Sequence, residues 1–153
     1  MSFRISGLPA EPFAHLFQLS AEDLAARGTL RMTAGESGFP CRIGLTDAEP
    51  GQTVLLTHYE HHPVDSPFRS SYAIYVREGE TTYDEVDQIP EQLRKRLLSV
   101  RAFDGRGMLL DADVVDGREL EGTIGRLFSN ERATYLHVHY AKPGCYAARV
   151  DRA

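Results

Sequence analysis

The chain has 153 residues, 42% hydrophobic and 25% charged, the size and make-up of a single domain (residues 1–153) that buries its own core without disulfides or metal. A net charge of -5 excludes the basic footprint that phosphate-backbone binding needs, so nucleic acid is not an expected partner. No apolar run suits a membrane span or a signal peptide, so no membrane partner is expected and a cytoplasmic location is.

Residues 3–5 read as a first strand, and Pro12 followed by Phe13, Leu16 and Phe17 predicts a short helix begun by a proline in its first turn. Ser20 stands three residues before Asp23 as a helix cap, and Gly28 ends the second helix. From Thr29 the period changes to alternation, which predicts strands at Leu30 with Met32, 41–45, 54–61 and 72–76. Residues 78–89 read as polar loop, and Pro90 opens a helix carrying Leu93, Leu97 and Leu98. A hairpin over 100–103 and 108–115 turns at Asp104-Gly105-Arg106-Gly107. Leu120, Ile124, Leu127 and Phe128 then form one helical stripe, and a last hairpin joins 134–140 to 145–150 through Lys142-Pro143-Gly144. The fold class is α+β: a mostly antiparallel sheet, open or curled into a partly closed barrel, packed with three to four short helices.

The densest chemical cluster is Thr57-His58-Tyr59-Glu60-His61-His62, where strand alternation sets His58, Glu60 and His62 on one face. One strand alone spans too far to surround an ion, and the partner is sought in the last hairpin, where His137 and His139 share the face opposite Leu136 and Val138. Together these five residues, His58, Glu60, His62, His137 and His139, are the expected ligands of a divalent metal in a histidine-rich pocket if their strands are neighbours. The bland reading of the same residues is half-buried imidazoles satisfied by backbone or tyrosine. The cupin type of motif is departed from, because residues 141–144 supply no carboxylate after His-x-His. Arg69, flanked by hydroxyls in the 66–71 loop, is expected to meet an anionic small molecule at the pocket mouth beside His58 and Glu60, or else to pair with a local carboxylate such as Asp65.

Two cysteines, Cys41 and Cys145, form no Cys-x-x-Cys pair and are expected to be thiols. Arg42 would activate Cys41 only if the side chains met, and alternation sends neighbours to opposite faces. Cys145 is expected to side with Val138 and Tyr140, away from His137 and His139. Only Lys95 and Lys142 among the 17 basic residues are lysines, which reads as a compositional bias favouring arginine. Asp111 and Asp113 share one strand face, a spacing that suits paired carboxylates and equally the water-facing side of a hairpin, and Asp84-Glu85 with Asp87 reads as solvated loop.

The motifs Phe3-Arg4-Ile5, Phe39-Pro40-Cys41-Arg42, Asp47-Ala48-Glu49-Pro50-Gly51, Tyr59-Glu60-His61, Ser66-Pro67-Phe68-Arg69, Ile74-Tyr75-Val76-Arg77-Glu78, Asp111-Ala112-Asp113-Val114-Val115-Asp116-Gly117 and His137-Val138-His139-Tyr140-Ala141-Lys142-Pro143-Gly144-Cys145-Tyr146, in that order, resemble the bacterial DUF1203 family over essentially the whole chain. The resemblance implies a bacterial source and brings no activity, cofactor or catalytic residue with it.

The residues themselves point to a small-molecule-binding protein, and to Lewis-acid or hydrolytic enzyme chemistry where a metal fills the pocket. Without a metal, a histidine beside a carboxylate serves as a general base. The rival reading is an interaction or structural module, such as a homodimer, with the histidine face as its interface.

Overall fold

The computed structural model, which describes residues 1–153, has nine strands: β1 (Phe3–Ser6), β2 (Leu30–Thr33), β3 (Thr53–His62), β4 (Ser70–Val76), β5 (Asp84–Val86), β6 (Leu97–Phe103), β7 (Leu109–Asp116), β8 (Tyr135–Tyr140) and β9 (Tyr146–Arg152). They form two open sheets, a six-stranded one in the order β5-β1-β9-β8-β6-β7 and a three-stranded one in the order β2-β3-β4. Every strand pair is antiparallel, and neither sheet closes into a barrel. The helices are short: α1 (Glu11–Ala14), α2 (Ala21–Ala25), α3 (Glu91–Arg94) and α4 (Leu120–Phe128). None is long and apolar enough to cross a membrane.

Helix α4 covers one face of the large sheet. Its Leu120, Ile124, Leu127 and Phe128 are buried with Leu98, Val100, Leu136, Val138 and Val150 in the main core. Each such side chain contributes about 1.5–3 kcal/mol by leaving water. Arg152 closes the C-terminal end of this helix, its Nη2 donating to the Phe128 and Ala133 carbonyls at 3.0 and 2.9 Å. A second core joins Phe13, Leu16 and Leu24 from the N-terminal helices to Leu55, Ile74 and Val76 of the small sheet and to Tyr146 of β9. The Ser20 cap forms as the spacing predicts, with Oγ accepting from Asp23 N at 3.1 Å, and Gly28 takes the positive φ of a helix terminus.

Three elements differ from the sequence reading. Residues 41–45 make only single bridges, Pro40 to Asp47 and Cys41 to Tyr75, because Leu45 at φ 53 turns the chain back. The helix after Pro90 ends at Arg94, and Leu97 and Leu98 enter β6. Pairing with both β7 and β8 outweighs their helical spacing there. The polar stretch 78–89 contains β5, whose three residues are exposed and carry no apolar signal. It is held by pairing with β1 and by Arg4 against Asp84 at 2.6 Å.

The segment 40–43 spans the two sheets. Cys41 bridges Tyr75 on β4, Arg42 N donates to the Tyr75 carbonyl, and Leu8 N donates to the Arg42 carbonyl after β1. Gly7 permits that approach: a Cβ there would sit 2.1 Å from the Ile43 carbonyl oxygen.

Candidate functional site

Strand β3 carries its first cluster past a β-bulge. Tyr59 pairs with Tyr72 and His62 with Ser70, so three steps along β3 oppose two along β4. The extra residue interrupts the alternation and turns His61 and His62 both toward the large sheet. On β8 the pairing with β6 runs without a shift, the one irregularity against β9 placing its extra residue on β9, and Tyr135, His137 and His139 line the face opposite Leu136, Val138 and Tyr140, which belong to the α4 core. The two histidine clusters therefore meet across the seam between the sheets and not as neighbours within one sheet.

In that seam His62 lies 4.9 Å from His137, and His61 lies 5.2 Å from His139, measured between ring centroids. Tyr146 stacks on His61 at 5.1 Å with its ring 15° from parallel. Both nitrogens of His62 are engaged: Nδ1 donates to the Phe68 carbonyl at 2.8 Å, and Nε2 accepts from the Tyr135 hydroxyl at 2.6 Å. His139 Nδ1 donates to the Gly144 carbonyl at 3.0 Å. The Nδ1 atoms of His61 and His137 are buried without a partner. Burial, and then the neighbouring imidazoles of His62, His139 and His61, pushes His137 down to about 2. Burial likewise lowers His139 to about 3, and burial with His62 and Arg101 lowers His61 to about 4. These three rings are neutral bases packed as aromatic side chains.

The expected five-residue metal set is split. The bulge that brings His62 inward leaves His58 and Glu60 on the outer face, where His58 Nε2 meets Ser71 Oγ at 3.0 Å and Glu60 takes Arg69 at 2.8 Å. Arg69 pairs with Glu60 and not with Asp65, and both partners are substantially exposed. No three His, Cys, Asp or Glu side chains are arranged to hold a metal ion. The histidine face offered as a homodimer interface is buried inside the chain, with His62, His137 and His139 each no more than 3% exposed. Asp111 and Asp113 do share a face, held by Arg126 of α4 at 3.5 and 2.7 Å.

A cavity of about 560 Å³ opens behind the seam, where the 40–43 segment, the start of β6 and the β8–β9 turn converge. Four cations line it: Arg42, Lys95, Arg96 and Lys142. Asp47 is the one carboxylate in ion-pair contact with them, at 2.7 Å from Lys95 and 2.9 Å from Arg96. Tyr75 and Tyr140 supply aromatic wall, and the guanidinium carbons of Arg42 and Arg96 lie 5.0 and 5.1 Å from the Tyr140 ring centroid. Gln92 of α3 braces the floor, donating to the Cys41 carbonyl at 3.1 Å and accepting from the Tyr140 hydroxyl.

Arg42 is 1% exposed. Its Nε donates to the Tyr146 carbonyl at 2.6 Å, its Nη1 to the Pro40 carbonyl, and its Nη2 points at Cys145 Sγ, 2.9 Å away. Cys145 keeps to the Tyr140 side of the hairpin, away from His139, as the register argument predicts. Cys41 is fully buried beside Phe39 O, and burial above all pushes its thiol up to about 12. Sequence reasoning missed this cavity: Arg42 takes its cysteine partner 103 residues away and not next to it, and the chain's two lysines converge here.

No curated protein and no solved structure matches this chain. The family model described as a protein of unknown function, DUF1203, matches residues 38–152, a stretch that holds Arg42, both histidine clusters, both lysines and Cys145, and the chain belongs to the DUF1203 family.

Proposed function

We propose that the protein binds a small anionic molecule with an apolar or aromatic body in the cavity between Arg42, Arg96, Lys142, Tyr75 and Tyr140. The observation that supports this reading is the buried Arg42 guanidinium, which has two carbonyls and a sulfur for partners and no carboxylate. A buried charge is costly without a counter-charge, and an anionic ligand supplies one. Charge-assisted bonds from Arg96 and Lys142 orient the anion, and the tyrosines take its body. Both cysteines are free, which suits a reducing compartment such as the cytoplasm. The histidine seam is a packed support for the β8–β9 turn in this reading.

Calorimetric titration with inorganic phosphate and with phenyl phosphate tests it. Phenyl phosphate binds more tightly than phosphate, and Lys142→Met weakens both by roughly tenfold, the loss of one charge-assisted bond. Titrations without heat at millimolar ligand, or affinities indifferent to Lys142, defeat the reading.

A further inference from the structure

We propose that Cys145, hydrogen-bonded by Arg42, is a nucleophile that attacks small carboxylate- or phosphate-bearing electrophiles drawn into this cavity. The inference rests on the anion-binding reading and adds a reaction to it.

The pairing comes first. Arg42 Nη2 lies 2.9 Å from Cys145 Sγ, while Nε and Nη1 donate to the Tyr146 and Pro40 carbonyls. The sulfur is the one nucleophilic atom in hydrogen-bond contact with this buried cation, and the guanidinium stabilises charge that develops around it during attack. Tyr140 is no rival, because its hydroxyl proton is given to Gln92 Oε1. Access comes second: Cys145 lines the cavity together with Arg96 and Lys142, whose charges attract an anion to the sulfur. The activation is cationic and not by a general base, since the neighbouring His139 belongs to the opposite face and donates to the Gly144 carbonyl.

In the reaction the thiol proton passes to solvent as the sulfur attacks. A sulfur lone pair forms the S–C bond while the bond from that carbon to its leaving group breaks, and the leaving group departs with that electron pair. No oxidant or reductant is consumed. Cys41 is an internal control, fully buried with its Sγ against the Phe39 carbonyl.

Alkylation of the folded protein by iodoacetate and by iodoacetamide, followed by intact mass and peptide mapping, tests the assignment, with iodide as leaving group. The rate ratio of iodoacetate to iodoacetamide at Cys145 exceeds that of glutathione by roughly tenfold or more, because the cavity concentrates the anion. Lys142→Met lowers the iodoacetate rate by a larger factor than the iodoacetamide rate, because it removes a cation that attracts the anion. Arg42→Lys, which keeps the charge and loses the fork, slows both. A ratio equal to that of glutathione, or Cys145 labelled no faster than Cys41, overturns the assignment. Phosphate titrated alongside separates the failures: a cavity that binds phosphate beside an ordinary thiol removes only the nucleophile, whereas absence of both removes the anion site as well.

Discussion

Arg42 is the largest side chain that the fold buries completely, and its one guanidinium holds the segment at Pro40 to the adjacent residues Cys145 and Tyr146. A planar fork with fixed donor directions can bridge the Pro40 and Tyr146 carbonyls and a sulfur at once, which an ammonium cannot. Replacing it by methionine keeps much of the volume and leaves those carbonyls buried without donors. Arg42→Met is therefore expected to lose about 3 kcal/mol in urea denaturation. A variant as stable as the parent would show that the guanidinium is incidental to the fold.

At the scale of elements, the bulge in β3 decides which of its polar side chains the protein uses internally. Without it, alternation would place His58, Glu60 and His62 together; with it, His62 turns inward with His61, and the other two remain outside. The assignment has measurable consequences. His58→Ala and Glu60→Ala are each expected to change stability by at most about 0.5–1 kcal/mol, as exposed positions and exposed ion pairs do. His62→Ala is expected to cost about 2–4 kcal/mol, because it leaves a cavity against Phe103 and frees the Tyr135 hydroxyl and the Phe68 carbonyl inside the seam. Comparable losses at all three positions in thermal unfolding would contradict the placement of the bulge.

The same seam governs how the whole molecule responds to acid. A histidine whose folded value lies below its ordinary 6.5 binds its proton more readily when unfolded, so its contribution is complete above that value and is lost as pH falls. His137 and His139, folded at about 2 and about 3, put the window of loss from near pH 6.5 downward through those values. Each adds a slope of about 1.4 kcal/mol per pH unit once the unfolded chain is protonated. Urea midpoints measured from neutral to mildly acidic pH should fall steeply for the parent and less steeply for a His137→Phe, His139→Phe double variant. Parallel slopes in the two proteins would mean that the seam does not exclude protons.

What the sequence determined by itself lies in its local periods: the α4 stripe, the β6–β7 and β8–β9 hairpins with their Gly-containing turns, the Ser20 cap, the shared face of His137 and His139 on β8, and the opposite side taken by Cys145 after the turn. These follow from backbone geometry within a few residues, and the family resemblance is carried by the same contiguous motifs. The tertiary structure alone decided the bulge at His61 and His62, the strand at Leu97, the edge strand β5 and the meeting of Arg42 with Cys145. A bulge and an edge pairing are stabilised by partners elsewhere in the chain, so neither leaves a period in its own residues. Arg42 and Cys145, like Lys95 and Lys142, meet only because the 40–43 segment is pinned between β4 and the residues after β1, contacts whose free energy is non-local and invisible to any short window of sequence.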